Sequence, residues 1–271
     1  MREPPFHEID NCIARVGLRA PSDAEIRQRI RESGIRLVCL PHHGSTRLGE
    51  ARRGILGRFD IVLYRSKADD APFSVDERFT IVHELGHIVL ERDYGIAPES
   101  DDAYWRSEEW CDTFAARLLV PDDAVPRAAT PDPSSLVVWI TTISGRCGAP
   151  WEAVARRIAE AYPETCFVLL REVAVVEHTS RTLPAFTFSV VSSAKWNTGS
   201  GRSLPLRPES SLASILKNSL RQDATSTQFS LPGLGQGVVR RCPSHSDAGG
   251  QYLVAMVLSA AKDESTLKMF Q

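Results

Sequence analysis

The chain has 271 residues, 42% of them hydrophobic, with a formal net charge of −2 and six cysteines. That is enough chain for two domains or one with an appendage, and the charge gives no general electrostatic drive toward nucleic acid. No apolar run approaches the ~20 residues of a membrane span, Met1-Arg2-Glu3-Pro4-Pro5 lacks a signal-peptide core, and Cys12, Cys39, Cys111, Cys147, Cys166 and Cys242 form no CxxC pair, so a cytoplasmic protein with reduced thiols is expected.

In chain order, residues 22 to 33 are amphipathic, with Ile26 and Ile30 one turn apart and Gly34 as the stop. Ile35-Arg36-Leu37-Val38-Cys39-Leu40 and Phe59-Asp60-Ile61-Val62-Leu63-Tyr64 read as strands of a small sheet. An edge of such a sheet suits an extended peptide that adds a strand. Between them, His42 and His43 invite a ligand or acid role, but a polar turn after a strand explains them more cheaply.

Ser74-Val75-Asp76-Glu77 is a Ser-x-x-Glu capping box with acidic residues in the first helical turn. Phe79, Ile81, Val82, Leu85, Ile88 and Val89 then recur at helical spacing, and Gly95 is the expected end. This helix carries His83-Glu84-Leu85-Gly86-His87, an HExxH pattern. Four residues is about one turn, so both imidazoles leave the same face and can share a metal. Glu84 beside them is placed as a general base. With seven histidines in 271 residues, roughly one such chain in a hundred would show the pattern by chance, and the capped helix lowers that further.

A catalytic zinc site needs a third protein ligand. Ser107 to Pro121 reads as a second helix with Trp110, Cys111, Phe114, Ala115 and Leu118 as its apolar side. Its first turn offers Glu108 or Glu109, and spacing does not choose between them. Glu108 and Asp112 share a face, so Asp112 is a candidate acceptor behind a ligating histidine. Tyr94 and Tyr104 flank the gap between the two helices; each is a candidate oxyanion donor, with a packed aromatic the simpler reading.

Arg78-Phe79-Thr80-Ile81-Val82-His83-Glu84-Leu85-Gly86-His87, followed by Glu108-x-x-x-Asp112-x-Phe114-Ala115-Ala116-x-Leu118-Leu119-x-Pro121, resembles the ImmA/IrrE family of metallopeptidases. The resemblance covers roughly residues 20 to 126. It implies zinc, with manganese as the alternative metal, held by His83, His87 and Glu108, with Glu84 as the base. It also implies a cytoplasmic helix-turn-helix transcriptional repressor as substrate, cut to release genes that answer stress, DNA damage or mobile-element induction. Cys111 departs from the family's usual alanine and leaves a thiol near the site; a buried, inert cysteine is the simpler reading.

Pro126, Pro131 and Pro133 mark a linker. Helical patterns at residues 134–145 and 151–161, joined by Arg146-Cys147-Gly148-Ala149-Pro150, outline a helix-turn-helix. Arg146, Arg156 and Arg157 against Glu152 and Glu160 leave little positive charge, so packing or repressor docking is favoured over reading DNA. Beyond Cys166, strands are expected at residues 167–170, 186–191, 238–242 and 252–258, with a helix through Leu212, Ile215, Leu216 and Leu220. Residues 195–207 and 233–237 read as loops, and His178 and His245 as surface residues.

The expected protein is thus α+β. A zincin-like metallopeptidase core spans residues 1–127, a helix-turn-helix-like segment 128–163, and a C-terminal α+β domain 164–271 that resembles small-molecule sensor folds and would take a small ligand. The rival expectation is a non-enzymatic regulator on the same scaffold, binding DNA, a repressor or a small ligand.

Overall fold

A computed structural model of the chain describes residues 4–41, 48–54, 57–97, 100–127, 131–173, 185–192, 204–205, 226–231, 235–242 and 251–258. Two compact units result, Met1–Val125 with Thr142–Arg157, and Pro126–Thr141 with Ile158–Gln271.

In the first unit, α1 (Ile9–Val16) buries Ile9 and Cys12 and ends on Gly17 in the left-handed conformation. The helix expected next is α2 (Asp23–Glu32), opened by a complete Ser22–Glu25 capping box and anchored by buried Ile26 and Ile30. Strands β1 (Arg36–Leu40), β2 (Gly49–Arg53) and β3 (Phe59–Tyr64) form a sheet of order β1-β3-β2. The β1–β3 pair is parallel and the β2–β3 pair antiparallel, so β2 is an edge. Tyr64 N–H donates to Leu48 O, and Gly54 N–H to Arg58 O. In an antiparallel pair the bonded residues alternate. The even-numbered residues of β2 therefore bond to β3, and Gly49, Ala51 and Arg53 turn their backbone groups outward.

Helix α3 (Val75–Tyr94) has both hydrogen bonds of the Ser74–Glu77 capping box and stops at Gly95 with φ 65°. It buries Ile81, Val82, Leu85, Ile88, Val89 and Leu90. Helix α4 (Asp101–Leu119), capped by Ser100, packs against it. Trp110 and Phe114, both fully buried, stack at 5.3 Å with 9° between their rings. This helix starts six residues earlier than its sequence pattern announces. Tyr104 and Trp105, each 38% exposed, supply no inward apolar stripe to mark its first turns. Glu108 consequently lies two turns inside α4 and not in its first turn.

The two helices touch at Gly86. A Cβ there would lie 3.2 Å from Cys111 Sγ and 3.3 Å from its Cα and Cβ. Only one of those atoms belongs to a side-chain tip, so the backbone must give way. Gly86→Ala is expected to destabilise the protein by about 1–3 kcal/mol, the usual cost of overpacking. An unchanged melting temperature would contradict that contact.

Helices α5 (Pro133–Cys147) and α6 (Trp151–Ala161) match the two expected helical stretches. The second unit holds six strands: β4 (Thr165–Val173), β5 (Ala185–Ser192), β6 (Leu204–Pro205), β7 (Ser226–Leu231), β8 (Gly235–Cys242) and β9 (Gln251–Leu258). They form one sheet of order β6-β5-β4-β9-β8-β7, antiparallel throughout.

Two expected loops are corrected by this sheet. Gly235 to Gly237 begin β8, paired with both β7 and β9, although glycine disfavours strands and conceals this one. Leu204 and Pro205 form the short edge strand β6, the place in a sheet where proline is tolerated. The polar β7 has no counterpart among the expected strands. The helix read through Leu212–Leu220 and residues His42, His43, His178 and His245 lie outside the described residues. Among the described residues, no helix is long and apolar enough to cross a membrane.

Candidate metal centre

Two pairs of residues, each one turn apart, face each other across the α3–α4 contact. His83 and His87 come from α3, and Glu108 and Asp112 from α4. The Nε2 atoms of His83 and His87 are 3.2 Å apart. Glu108 Oε2 lies 3.3 Å from His83 Nε2, and Oε1 lies 3.1 Å from His87 Nε2. One ligand atom from each of these three residues fits within 4.8 Å of the others. Zinc bonds of about 2.05 Å at tetrahedral angles separate ligand atoms by roughly 3.3 Å, so the donor set fits that ion without rearrangement. Glu109, the other acidic candidate, is exposed and not among the converging groups. The phase of α4 decides between the two glutamates.

Asp112 Oδ1 lies 2.9 Å from His83 Nδ1. A carboxylate there holds the proton on Nδ1 and leaves the Nε2 lone pair to point at the shared site. The Phe79 ring lies 6.1 Å from the His83 ring. Cys111 is not among the converging groups, and its side chain packs beside Gly86. Burial pushes its thiol pKa well above the ordinary value, reinforced by the charges of Glu108, Asp112 and Glu84, and that chemistry suits an inert packing residue.

Glu84 is 8% exposed, and its Oε2 accepts the Ala51 N–H at 2.7 Å. This contact ties the outward edge of β2 to the centre. Gly49 makes it feasible: a Cβ at that position would meet Thr80 Cγ2 at 2.6 Å and the Val62 carbonyl at 2.9 Å. A groove of about 510 Å³ follows this edge, lined by Leu48 to Arg53, His83, Glu84, His87, Tyr104 and Glu108. The sequence pattern misses β2 altogether. Its residues are Gly-Glu-Ala-Arg-Arg, and charged side chains are how exposed edges avoid pairing with other chains. Of the two tyrosines, Tyr104 lines the groove, whereas the Tyr94 hydroxyl is tied to Cys12 and Arg15 of α1.

Burial opposes a charge on His83, yet the hydrogen bonds with Asp112 and Glu108 outweigh it and raise its pKa from 6.5 to about 10. Burial likewise pushes Glu108 upward, and His83 and His87 more than reverse this, leaving the carboxylate well below its usual range. A raised histidine stabilises the metal-free fold fully below its unfolded value of 6.5, and that contribution is lost as pH climbs toward 10. A metal competes with the same proton. Metal affinity is therefore expected to rise with pH by up to about tenfold per unit between about pH 6 and pH 8, as one proton is displaced. Competition titrations with a chromophoric chelator measure this, and a flat profile would contradict a charged His83.

Arg146, Arg156 and Arg157 of the helix-turn-helix-like segment all belong to the first unit and bond to acceptors within it. Arg146 Nη2 donates to Ala124 O at 2.8 Å, and Arg157 Nε to Val120 O at 2.9 Å with a further bond to Asp122. Arg156 Nη2 donates to Asp112 Oδ2 at 3.2 Å. Gly148, with φ 57°, sits so close to Arg78 that a Cβ would clash with the guanidinium.

No curated protein matches the chain. A solved structure described as a Mycobacterium tuberculosis transcriptional regulator is similar in fold, with a TM-score of 0.53 at 11% identity, over 93% of this chain and 75% of that one. Residues 74–159, which hold α3, α4, α5 and nearly all of α6, match the family model described as the IrrE N-terminal-like domain of peptidase family M78. Over that segment the chain is similar to the ImmA/IrrE family.

Proposed function

We propose that the protein is a zinc-dependent endopeptidase whose substrate is a cytoplasmic helix-turn-helix transcriptional repressor. The observation that carries this reading is the convergence of His83 Nε2, His87 Nε2 and the Glu108 carboxylate at ligand spacing beside the buried Glu84. The metal ligands would be His83, His87 and Glu108. Zinc held there supplies Lewis acidity, which acidifies water toward neutrality and polarises a carbonyl.

The chain's own residues do the rest. Asp112 keeps His83 in the tautomer that offers Nε2. With Oε2 of Glu84 engaged by Ala51 N–H, Oε1 takes the proton from the attacking water and delivers it to the leaving amine. The outward backbone groups of Gly49 and Arg53 flank Ala51 along the groove. They suit a substrate segment bound as an added antiparallel or parallel strand. The regulatory part of the reading draws on the family and on a structural neighbour described as a transcriptional regulator. The six-stranded sheet of the second unit is the proposed sensor of a small ligand.

The test is incubation of the purified chain with the helix-turn-helix repressor encoded beside it, read by intact mass. Zinc-loaded protein should yield two fragments whose masses sum to the repressor plus water, and chelator should prevent this. A repressor left intact by zinc-loaded protein would sink the proposal; intact but tightly bound repressor would favour the non-enzymatic regulator.

A further inference from the structure

We propose that Arg156 on α6 is a positioning residue for the metal centre, acting on His83 through Asp112. The inference rests on the zinc-centre reading above and extends it to a residue 44 positions beyond Asp112 in the chain.

The Asp112 carboxylate divides its two oxygens between two tasks. Oδ1 holds His83 Nδ1 at 2.9 Å, and Oδ2 receives Arg156 Nη2 at 3.2 Å. The same guanidinium reaches Thr113 Oγ1 with Nη1 at 3.4 Å, and that hydroxyl is itself fixed by donating to Glu109 O at 2.8 Å. The fork thus straddles two consecutive residues of α4. The terminal torsion of an aspartate is broad and nearly two-fold, so a carboxylate held by only one oxygen rocks about its axis. Pinning both oxygens sets the plane in which Oδ1 meets the imidazole. Arg156 and Asp112 side chains are 16% and 26% exposed, so the pair is screened far less than a surface ion pair.

Its neighbours show that this is not simply how α6 is attached. Arg157 and Arg146 already staple the helical pair to Val120, Asp122 and Ala124. Of these three arginines, Arg156 is the one that reaches the group orienting a candidate ligand. A helix that resembles a DNA-reading element therefore spends one of its cations on the metal site.

The experiment is a double-mutant cycle on zinc affinity in the full chain, with Arg156→Met, which keeps the aliphatic stem, combined with Asp112→Asn. Arg156→Met is expected to weaken zinc by roughly tenfold, at the low end of the range for groups that support a ligand. In the Asp112→Asn background it should cost nothing further, because its route to His83 is already cut. The cobalt-substituted protein should show a shifted ligand-field spectrum in Arg156→Met, a signature that a loss of fold stability alone would not produce. Arg156→Lys keeps the charge without the fork and should fall between wild type and Arg156→Met; it runs the same cycle if the methionine variant does not fold. Wild-type affinity and spectrum in these variants, or an equal cost with and without Asp112, would overturn the proposal. Wild-type protein that holds no zinc would instead overturn the function on which it rests.

Discussion

Glu84→Gln is expected to keep its zinc and to lose peptide hydrolysis by about 10²–10⁴-fold, the usual contribution of a positioned general base. The substitution is nearly isosteric, and the amide oxygen can still accept the Ala51 N–H that Glu84 Oε2 accepts at 2.7 Å. The edge of β2 should therefore stay in place, as should His83, His87 and Glu108. What disappears is a group able to take a proton. Initial rates on a cleaved substrate, paired with zinc content measured on the same sample, check this. Retained hydrolysis would assign the base elsewhere, and lost zinc would show that Glu84 also shapes the site.

Glu108→Gln is expected to strip the centre of metal, while Glu109→Gln leaves it loaded. The Glu108 carboxylate stands within 3.3 Å of both histidine Nε2 atoms, and its removal leaves only two ligands. A neutral amide also forfeits the negative charge that the two imidazoles now face. Glu109 lies outside the converging donor set, and a near-isosteric swap there should change stability by no more than about 0.5 kcal/mol. Metal analysis after desalting should give about one zinc per chain for wild type and Glu109→Gln, and a small fraction of that for Glu108→Gln. The opposite pattern would mean that α4 is rotated by one residue relative to the present arrangement.

The histidine pair is legible in the sequence because its chemistry is local. His83, Glu84 and His87 lie within about one turn of a helix whose cap, apolar stripe and terminal glycine are all written in consecutive residues. Asp112 is legible for the same reason, four residues after Glu108. The choice of Glu108 over Glu109 comes from the family motif alone, because spacing gives no phase to a helix whose start is hidden. Exposed Tyr104 and Trp105 hide it, so the pattern places the first turn of α4 too late. Strand β2 escapes notice because an edge strand next to a groove is built of glycine, alanine and charged residues, not of β-branched ones. Arg156 escapes for a third reason. Its partner lies far away in sequence, and an arginine on such a helix is read first for its charge toward nucleic acid. Local chemistry survives in a pattern; contacts between distant elements need the fold.

The most direct test of the centre is an anomalous difference map at the zinc edge from crystals of the zinc-loaded protein. One peak is predicted within bonding distance of His83 Nε2, His87 Nε2 and the Glu108 carboxylate, about 2.0–2.2 Å from each, with the remaining position free of protein atoms and facing the groove along β2. A peak bound by a fourth protein ligand such as Cys111, or one located away from these three residues, would contradict it.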